Sequence, residues 1–161
     1  MSSIAYLDNM EKWDKRFLRL AREISTWSKD PSTQVGVVIV KDRKILSIGY
    51  NGFPEGIRDH PARLNNREEK YKYVVHGEMN SIYNAIKNGV SLEGSTLYVI
   101  GTPTLPVCGD CAKAIASVGI VRVVTPKYTE VDPKWKESCL LAESILFECG
   151  IEYDYIDLDI Q

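Results

Sequence analysis

The sequence is poor in the side chains that bind metals or form disulfides. It holds four cysteines (Cys108, Cys111, Cys139, Cys149) and two histidines (His60, His76), so any metal site must draw on six side chains. The N-terminal stretch MSSIAYLDNMEKWDKRF has no basic segment leading into an apolar one, and the expectation is a cytoplasmic protein. Its cysteines then read as thiols or metal ligands rather than a disulfide framework. No apolar run approaches the ~20 residues that span a bilayer, so no membrane partner is expected. Charge of one sign is lacking too, since 20 basic and 22 acidic residues leave a net charge of −2. That balance argues against a protein that holds long nucleic acid by neutralising phosphates, and it makes a small molecule the default ligand. A composition of 44% hydrophobic and 26% charged residues, with 11 Gly and 7 Pro, excludes disordered, collagen-like and low-complexity chains. At 161 residues the chain is long enough for one domain, 1–161, able to bury roughly two-thirds of its surface.

What is present is a regular alternation of patterns. From Asp8, Trp13, Phe17, Leu20, Ala21 and Ile24 recur three or four apart, which predicts an amphipathic helix. Val35 to Val40 and Ile45 to Tyr50 flank the polar break Lys41 to Lys44 and read as a β-hairpin. Asn51 to Lys72 contains Gly52, Pro54, Gly56 and Pro61 with Arg58, Arg63, Arg67, Lys70 and Lys72, and reads as a long loop with one helical turn. Helices are predicted from Gly77 to Asn88, from Cys108 to Val118, and after the Asp132-Pro133 cap. The last of these has a core face of Trp135, Cys139, Ala142, Leu146 and Cys149. Strands are predicted over Thr96 to Ile100, Ile120 to Val124 and Ile151 to Ile156. The order α-β-β-α-β-α-β-α-β implies an α/β fold, a three-layer α/β/α sandwich on a five-stranded mixed sheet, largely parallel beyond the first hairpin. Ligands of such sheets bind beyond the carboxyl ends of the strands, where the loops before Gly77 and Cys108 should emerge.

Two clusters at predicted helix starts carry chemistry: Val75-His-Gly-Glu-Met-Asn80 and Pro106-Val-Cys-Gly-Asp-Cys111. Cys108 and Cys111 are one turn apart at a helix N-terminus, where free N–H groups and the helix dipole favour thiolates. His76 could supply a third ligand, leaving a fourth tetrahedral position for water, as in catalytic zinc sites. Glu78, two residues on, would reach that water as a proton carrier. A lone CxxC before a helix could equally be a redox dithiol, and a structural zinc could be closed by His60, Cys139 or Cys149. The combination HxE with CxxC is the signature of zinc deaminases. Cys139 and Cys149 otherwise read as small buried thiols, and His60 as a solvated loop residue.

The chain resembles the deoxycytidylate deaminase branch of the cytidine deaminase superfamily over most of its length. The resemblance is carried by Ser28-Lys-Asp-Pro-Ser-Thr-Gln-Val-Gly36, Gly49-Tyr-Asn-Gly52, Tyr73-Val-Val-His-Gly-Glu-Met-Asn80, Cys108-Gly-Asp-Cys-Ala-Lys-Ala-Ile115 and Gly119-Ile120. It implies a cytidine deaminase-like fold and hydrolytic deamination of dCMP to dUMP. It implies one zinc per chain on His76, Cys108 and Cys111, and Glu78 as proton shuttle. It also implies Asn51 as a ligand of sugar or base with Gly77 beside it, although Asn-Gly after a strand is equally a turn signal. Lys127-Tyr128 and an Arg of the long loop would lie near the substrate phosphate. Lys29, Gly49, Tyr50 and Gly52 would serve nucleotide-triphosphate regulation, and homo-oligomers are expected. Three departures surround the base pocket: Gly77 in place of the usual Ala, Val107 inserted between Pro106 and Cys108, and a longer link from Tyr98 to Cys108. They leave other substrates open at this point, namely a modified cytosine nucleotide, a nucleoside or a free base such as guanine. A non-catalytic zinc or redox protein is the alternative of a different class.

Overall fold

Alternate residues of each central strand feed two separate cores, as the two-residue repeat of an extended chain requires. Val35, Val37 and Ile39 join Leu97, Val99 and Val123 on one face of the sheet, while Val38, Val40, Tyr98, Ile100 and Val124 face the other way. The computed structural model describes residues 2–103 and 105–158. Its strands are β1 (Gln34–Lys41), β2 (Lys44–Tyr50), β3 (Thr96–Thr102), β4 (Arg122–Pro126) and β5 (Glu152–Ile156), in the order β2-β1-β3-β4-β5. The helices are α1 (Ser3–Ser25), α2 (Pro61–Leu64), α3 (Arg67–Tyr73), α4 (Gly77–Lys87), α5 (Gly109–Ser117) and α6 (Pro133–Glu148). α1 covers the second face with Phe17, Leu18, Ala21 and Ile24. Residues of α4, α5 and α6 cover the first, which makes the three-layer sandwich.

The structure departs from the sequence expectations in four places. α1 begins at Ser3 rather than Asp8, because the Ser2 side chain accepts a hydrogen bond from the Ala5 N–H and caps a longer helix. The long loop holds two short helices, capped by His60, whose Nδ1 accepts from Ala62 N–H at 3.2 Å, and by Asn66. His60 therefore has a local task in an exposed position. Cys149 is exposed at the C-cap of α6, where the chain turns away from the core, so the buried face of that helix ends at Leu146. β1 pairs antiparallel with both β2 and β3, so only β3–β4 and β4–β5 are parallel. β2 and β3 run the same way on either side of β1, joined through the crossover that carries α4. Among the described residues, no helix is long and apolar enough to cross a membrane.

One polar network crosses the α1 side of the sheet. Asp14, buried on α1, accepts both forks of the Arg122 guanidinium at 2.8 Å each and the Tyr98 hydroxyl at 2.8 Å. The Arg122 Nε reaches Asp154 at 2.7 Å. The network ties α1 to β3, β4 and β5, and its paired geometry compensates the cost of burying charge. Asp14→Ala is expected to lower stability by about 3 kcal/mol, because it leaves a buried guanidinium half-paired and a buried phenol without its acceptor. Urea unfolding measures this, and a loss below about 1 kcal/mol would show that the network adds little.

Candidate active site

α4 lies directly on the backbone of β2. A Cβ at Gly49 would stand 2.4 Å from the Ser81 nitrogen and 2.7 Å from the Gly77 oxygen, so only glycine permits this approach. Side-chain amides of α4 complete the contact, Asn80 donating to the Tyr50 carbonyl at 2.8 Å and Asn84 to that of Ile48 at 2.9 Å. The segment before α4 is pinned by an isolated bridge in which Gly52 and Val75 exchange N–H···O=C bonds of 3.1 and 2.8 Å. His76 is the next residue and becomes the N-cap of α4.

Cys108 is the N-cap of α5. Neither His76 nor Cys108 uses its side chain to cap its own helix, so both side chains are free to point at a common centre. The loop before Cys108 accommodates its extra residue by burying Val107 in the core, with the Val107 N–H donated to the Tyr153 hydroxyl at 3.3 Å. α6 braces the turn, its Ser138 hydroxyl accepting from the Gly109 N–H at 3.0 Å. Cys139 packs behind it, and burial pushes its thiol up to about 11.

The His76 Nδ1 lies 3.4 Å from both the Cys108 Sγ and the Cys111 Sγ, and all three donor atoms fall within 4.8 Å of one another. Tetrahedral zinc with bonds of about 2.3 Å to sulfur and 2.0 Å to nitrogen separates such atoms by about 3.6 Å, so the donor set fits that ion. The Cys108 thiol is pushed down to about 4 by hydrogen bonds from the Cys111 thiol and His76 and from the Cys111 N–H, against burial. Cys111 is pushed up by the hydrogen bond to Cys108 and by burial, and His76 up to about 9 by its bond to Cys108. Glu78, in the first turn of α4 and 5% exposed, stands outside the donor triangle, and burial raises its carboxyl. It lines the same cleft as His76 and Cys108.

Not all of the predicted site residues gather there. Asn51 lines the cleft, but its side chain also secures β1, its Oδ1 accepting from the Val35 N–H and its Nδ2 donating to the Thr33 carbonyl, each at 2.8 Å. At Gly77 a Cβ would meet β1 and Asn51 at 3.2–3.4 Å, tight against a wall rather than in open cleft. Lys127 pairs with Asp157 at 2.7 Å and Tyr128 packs on Tyr155, and neither lines the cleft. Lys29, Tyr50 and Gly52 line a neighbouring cleft, where Lys29 pairs with Asp59 at 2.6 Å, whereas Gly49 lies under α4.

Several lining residues carried no sequence signal. Lys70, 3% exposed, donates to Asp30 at 2.9 Å and to Ser32, and this buried pair forms a wall common to both clefts. In the string Arg-Glu-Glu-Lys-Tyr-Lys it is indistinguishable from a solvated charge. Trp135 packs against the core as its helical spacing predicts and also lines the cleft, its ring 6.2 Å from that of His76 and 6.3 Å from that of Tyr71.

Residues 11–127 match the family model for the cytidine and deoxycytidylate deaminase zinc-binding region. An uncharacterised deaminase of Aliivibrio fischeri is 39% identical over 152 residues, covering 94% of this chain and 98% of the relative. Human deoxycytidylate deaminase is 39% identical over 133 residues, or 78% of this chain and 71% of the human protein. The crystal structure of the cyanophage S-TIM5 dCMP deaminase in complex with dCMP and dUMP superposes with a TM-score of 0.71 at 23% identity, covering 90% of this chain and 97% of the phage protein.

The contact between α4 and β2 can be tested through the donor triangle it positions. Gly49→Ala is expected to cost about 1–3 kcal/mol through overpacking and to weaken zinc binding at least tenfold. Gly52→Ala, with no atom within 4 Å of the added Cβ, should leave both near wild type. Chelator competition and urea unfolding read the two effects, and equal zinc affinity in the two variants would contradict this role of Gly49.

Proposed function

The chain belongs to the cytidine and deoxycytidylate deaminase family, and from that premise we propose that it hydrolyses dCMP to dUMP and ammonia, with one zinc ion held by His76, Cys108 and Cys111. The observation that carries this reading is the buried Glu78 beside, and not within, the three-donor cluster at the floor of a cleft. A purely structural zinc or a redox dithiol has no use for that carboxylate.

Zinc, when bound, supplies a Lewis acid that lowers the pKa of a water in its open position. The residues of this chain do the rest. Glu78 accepts a proton from the attacking water and gives it to the ring nitrogen, then takes the second proton from the oxygen now bonded to carbon and passes it to the departing amine, so that water and an aminopyrimidine become a carbonyl and ammonia. A carboxyl raised by burial suits that exchange, since it can hold the proton between the two transfers. Asn51, fixed to Val35 of β1 and to Thr33 just before it, presents its remaining hydrogen-bonding capacity to sugar or base. Trp135 and Tyr71 narrow the mouth and limit water.

The same reading makes the protein a single-domain cytoplasmic enzyme over residues 1–161 that works on a free nucleotide. It is a homo-oligomer, a reading supported by exposed apolar side chains such as Ile4, Leu7, Ile86 and Phe147.

Glu78→Gln is expected to retain one zinc per chain while kcat for dCMP falls by about 10²–10⁴ or more. Zinc content and ammonia release measure both, and near-normal turnover in that variant would sink the assignment. A panel of dCMP, CMP, deoxycytidine, cytosine and purine nucleotides decides the substrate, with dCMP expected to give the highest kcat/KM.

A further inference from the structure

The two short helices beside the cleft have little buried hold on the domain beneath them. α2 buries none of its residues, and α3 buries Lys70 alone. The Lys70 ammonium donates to the Asp30 carboxylate at 2.9 Å and to the Ser32 hydroxyl at 3.3 Å, the two charged side chains being only 3% and 8% exposed. A buried ion pair adds little to stability over a well-packed apolar pair of the same size, and its best-attested use is to fix one arrangement among several. Here it fixes α3 against the segment that joins α1 to β1.

The Asp30 carboxylate organises that segment in turn. Its Oδ1 accepts the Ser32 N–H at 2.8 Å and the Thr33 N–H at 3.2 Å, which closes a turn on the side chain. The Thr33 carbonyl leaves this turn to accept from the Asn51 Nδ2 at 2.8 Å, while the Val35 N–H donates to the Asn51 Oδ1 at 2.8 Å. An amide side chain has two orientations that exchange its oxygen and nitrogen, and this pair of partners permits one of them. The backbone of Asn51 is tied to the same stretch, its carbonyl accepting from the Ser28 hydroxyl at 2.8 Å, and that hydroxyl accepts from the Asp30 N–H at 3.3 Å. A path of hydrogen bonds thus runs from Lys70 through Asp30 and Thr33 to Asn51, and all four residues line the cleft.

We propose that Lys70 is a positioning residue: paired with Asp30, it holds the Thr33 turn and thereby the Asn51 amide in the orientation that meets the substrate, so that the docking of α3 sets ligand affinity. The inference rests on the deaminase reading for the contact between Asn51 and the substrate, and on the hydrogen-bond path for the role of Lys70. Without the ammonium, the Asp30 carboxylate is drawn toward water, the turn loosens, and the Asn51 amide is free to exchange its donor and acceptor. Glu78 and the three donor atoms stand at the starts of α4 and α5, outside this path, and His76 is delivered separately by the bridge between Gly52 and Val75. Zinc binding and the proton transfers are therefore left in place.

The test uses Lys70→Met in the zinc-loaded protein, because it keeps the bulk of the side chain and removes the charge. By calorimetry, dUMP affinity should fall about tenfold, with KM for dCMP rising in step, kcat changing by less than about threefold and zinc content unchanged, as for a contact made equally in ground and transition states. In an Asn51→Ala background the same Lys70→Met change should cost less than about twofold, since the path has lost its end. Lys70→Gln, which can still donate to Asp30, should lose less than Lys70→Met. Lys72→Met, which breaks the exposed pair with Glu69 on the same helix, should bind dUMP as the wild type does. If Asn51→Ala fails to fold, hydrogen exchange at the Asn51 side-chain amide, followed by NMR, takes its place and should speed up about tenfold in Lys70→Met. Wild-type dUMP affinity in Lys70→Met overturns the proposal, and so does a loss that persists in full in the Asn51→Ala background. The two readings can fail separately. A protein that releases no ammonia from any nucleotide but shows the faster Asn51 exchange in Lys70→Met keeps the path and loses the chemistry. One that deaminates dCMP with the same KM before and after Lys70→Met keeps the chemistry and loses the path.

Discussion

The structure turns on the close approach of α4 to β2. With no side chain at Gly49, the helix backbone settles onto the strand, and the bridge between Gly52 and Val75 delivers His76 to the helix start at the same height. A displacement of α4 outward would carry His76 and Glu78 away from Cys108 and Cys111 together, since both sit in its first turn. The three donor atoms tolerate little of that, being already at the separations that a small tetrahedral ion demands. Packing of a glycine therefore sets the chemistry several residues away.

The second constraint is electrostatic. Two helices, α4 and α5, aim their N-terminal ends at one point, where unpaired N–H groups favour the negative charge of thiolates. The Cys111 N–H contributes directly to the lowered Cys108 thiol. Glu78 adds a buried carboxyl beside it, raised chiefly by burial and also by the Cys108 charge, against the pull of His76. On the opposite face of the sheet, the Asp14, Arg122, Tyr98 and Asp154 network holds α1 to three strands without touching the site. Around the mouth, the Lys70–Asp30 pair is fully engaged, so it shapes the wall and contributes no free charge.

Much of the fold was legible because its determinants are local. The alternation in Val35 to Val40 and the three-and-four spacing in α1 and α4 follow directly from strand and helix geometry. So did HxE and CxxC, whose members are two and three residues apart and share a single turn. What sequence spacing could not supply was direction at element ends and the partners of charged side chains. Trp135 and Cys149 fit the apolar stripe of α6, yet the first packs against the core while also lining the cleft and the second is exposed at the C-cap. Asp14, Asp30 and Lys70 sit in charged strings that look solvated, and their partners lie far off in the chain.

By itself the sequence determined the order of the five strands and the four longer helices, the layering around the sheet, the three candidate ligands and the neighbouring acid, since each is written within one helical turn or one strand. Only the tertiary structure decided that β1 runs antiparallel to both neighbours, that Gly49 serves packing, and that Asn51 is anchored to β1. Among the described residues it likewise separated the cations held by carboxylates, such as Lys70 and Lys29, from Arg67 and Lys134, which have none within ion-pair distance. Those outcomes depend on which distant segments meet, and a single chain's pattern of residues does not encode the distances between them.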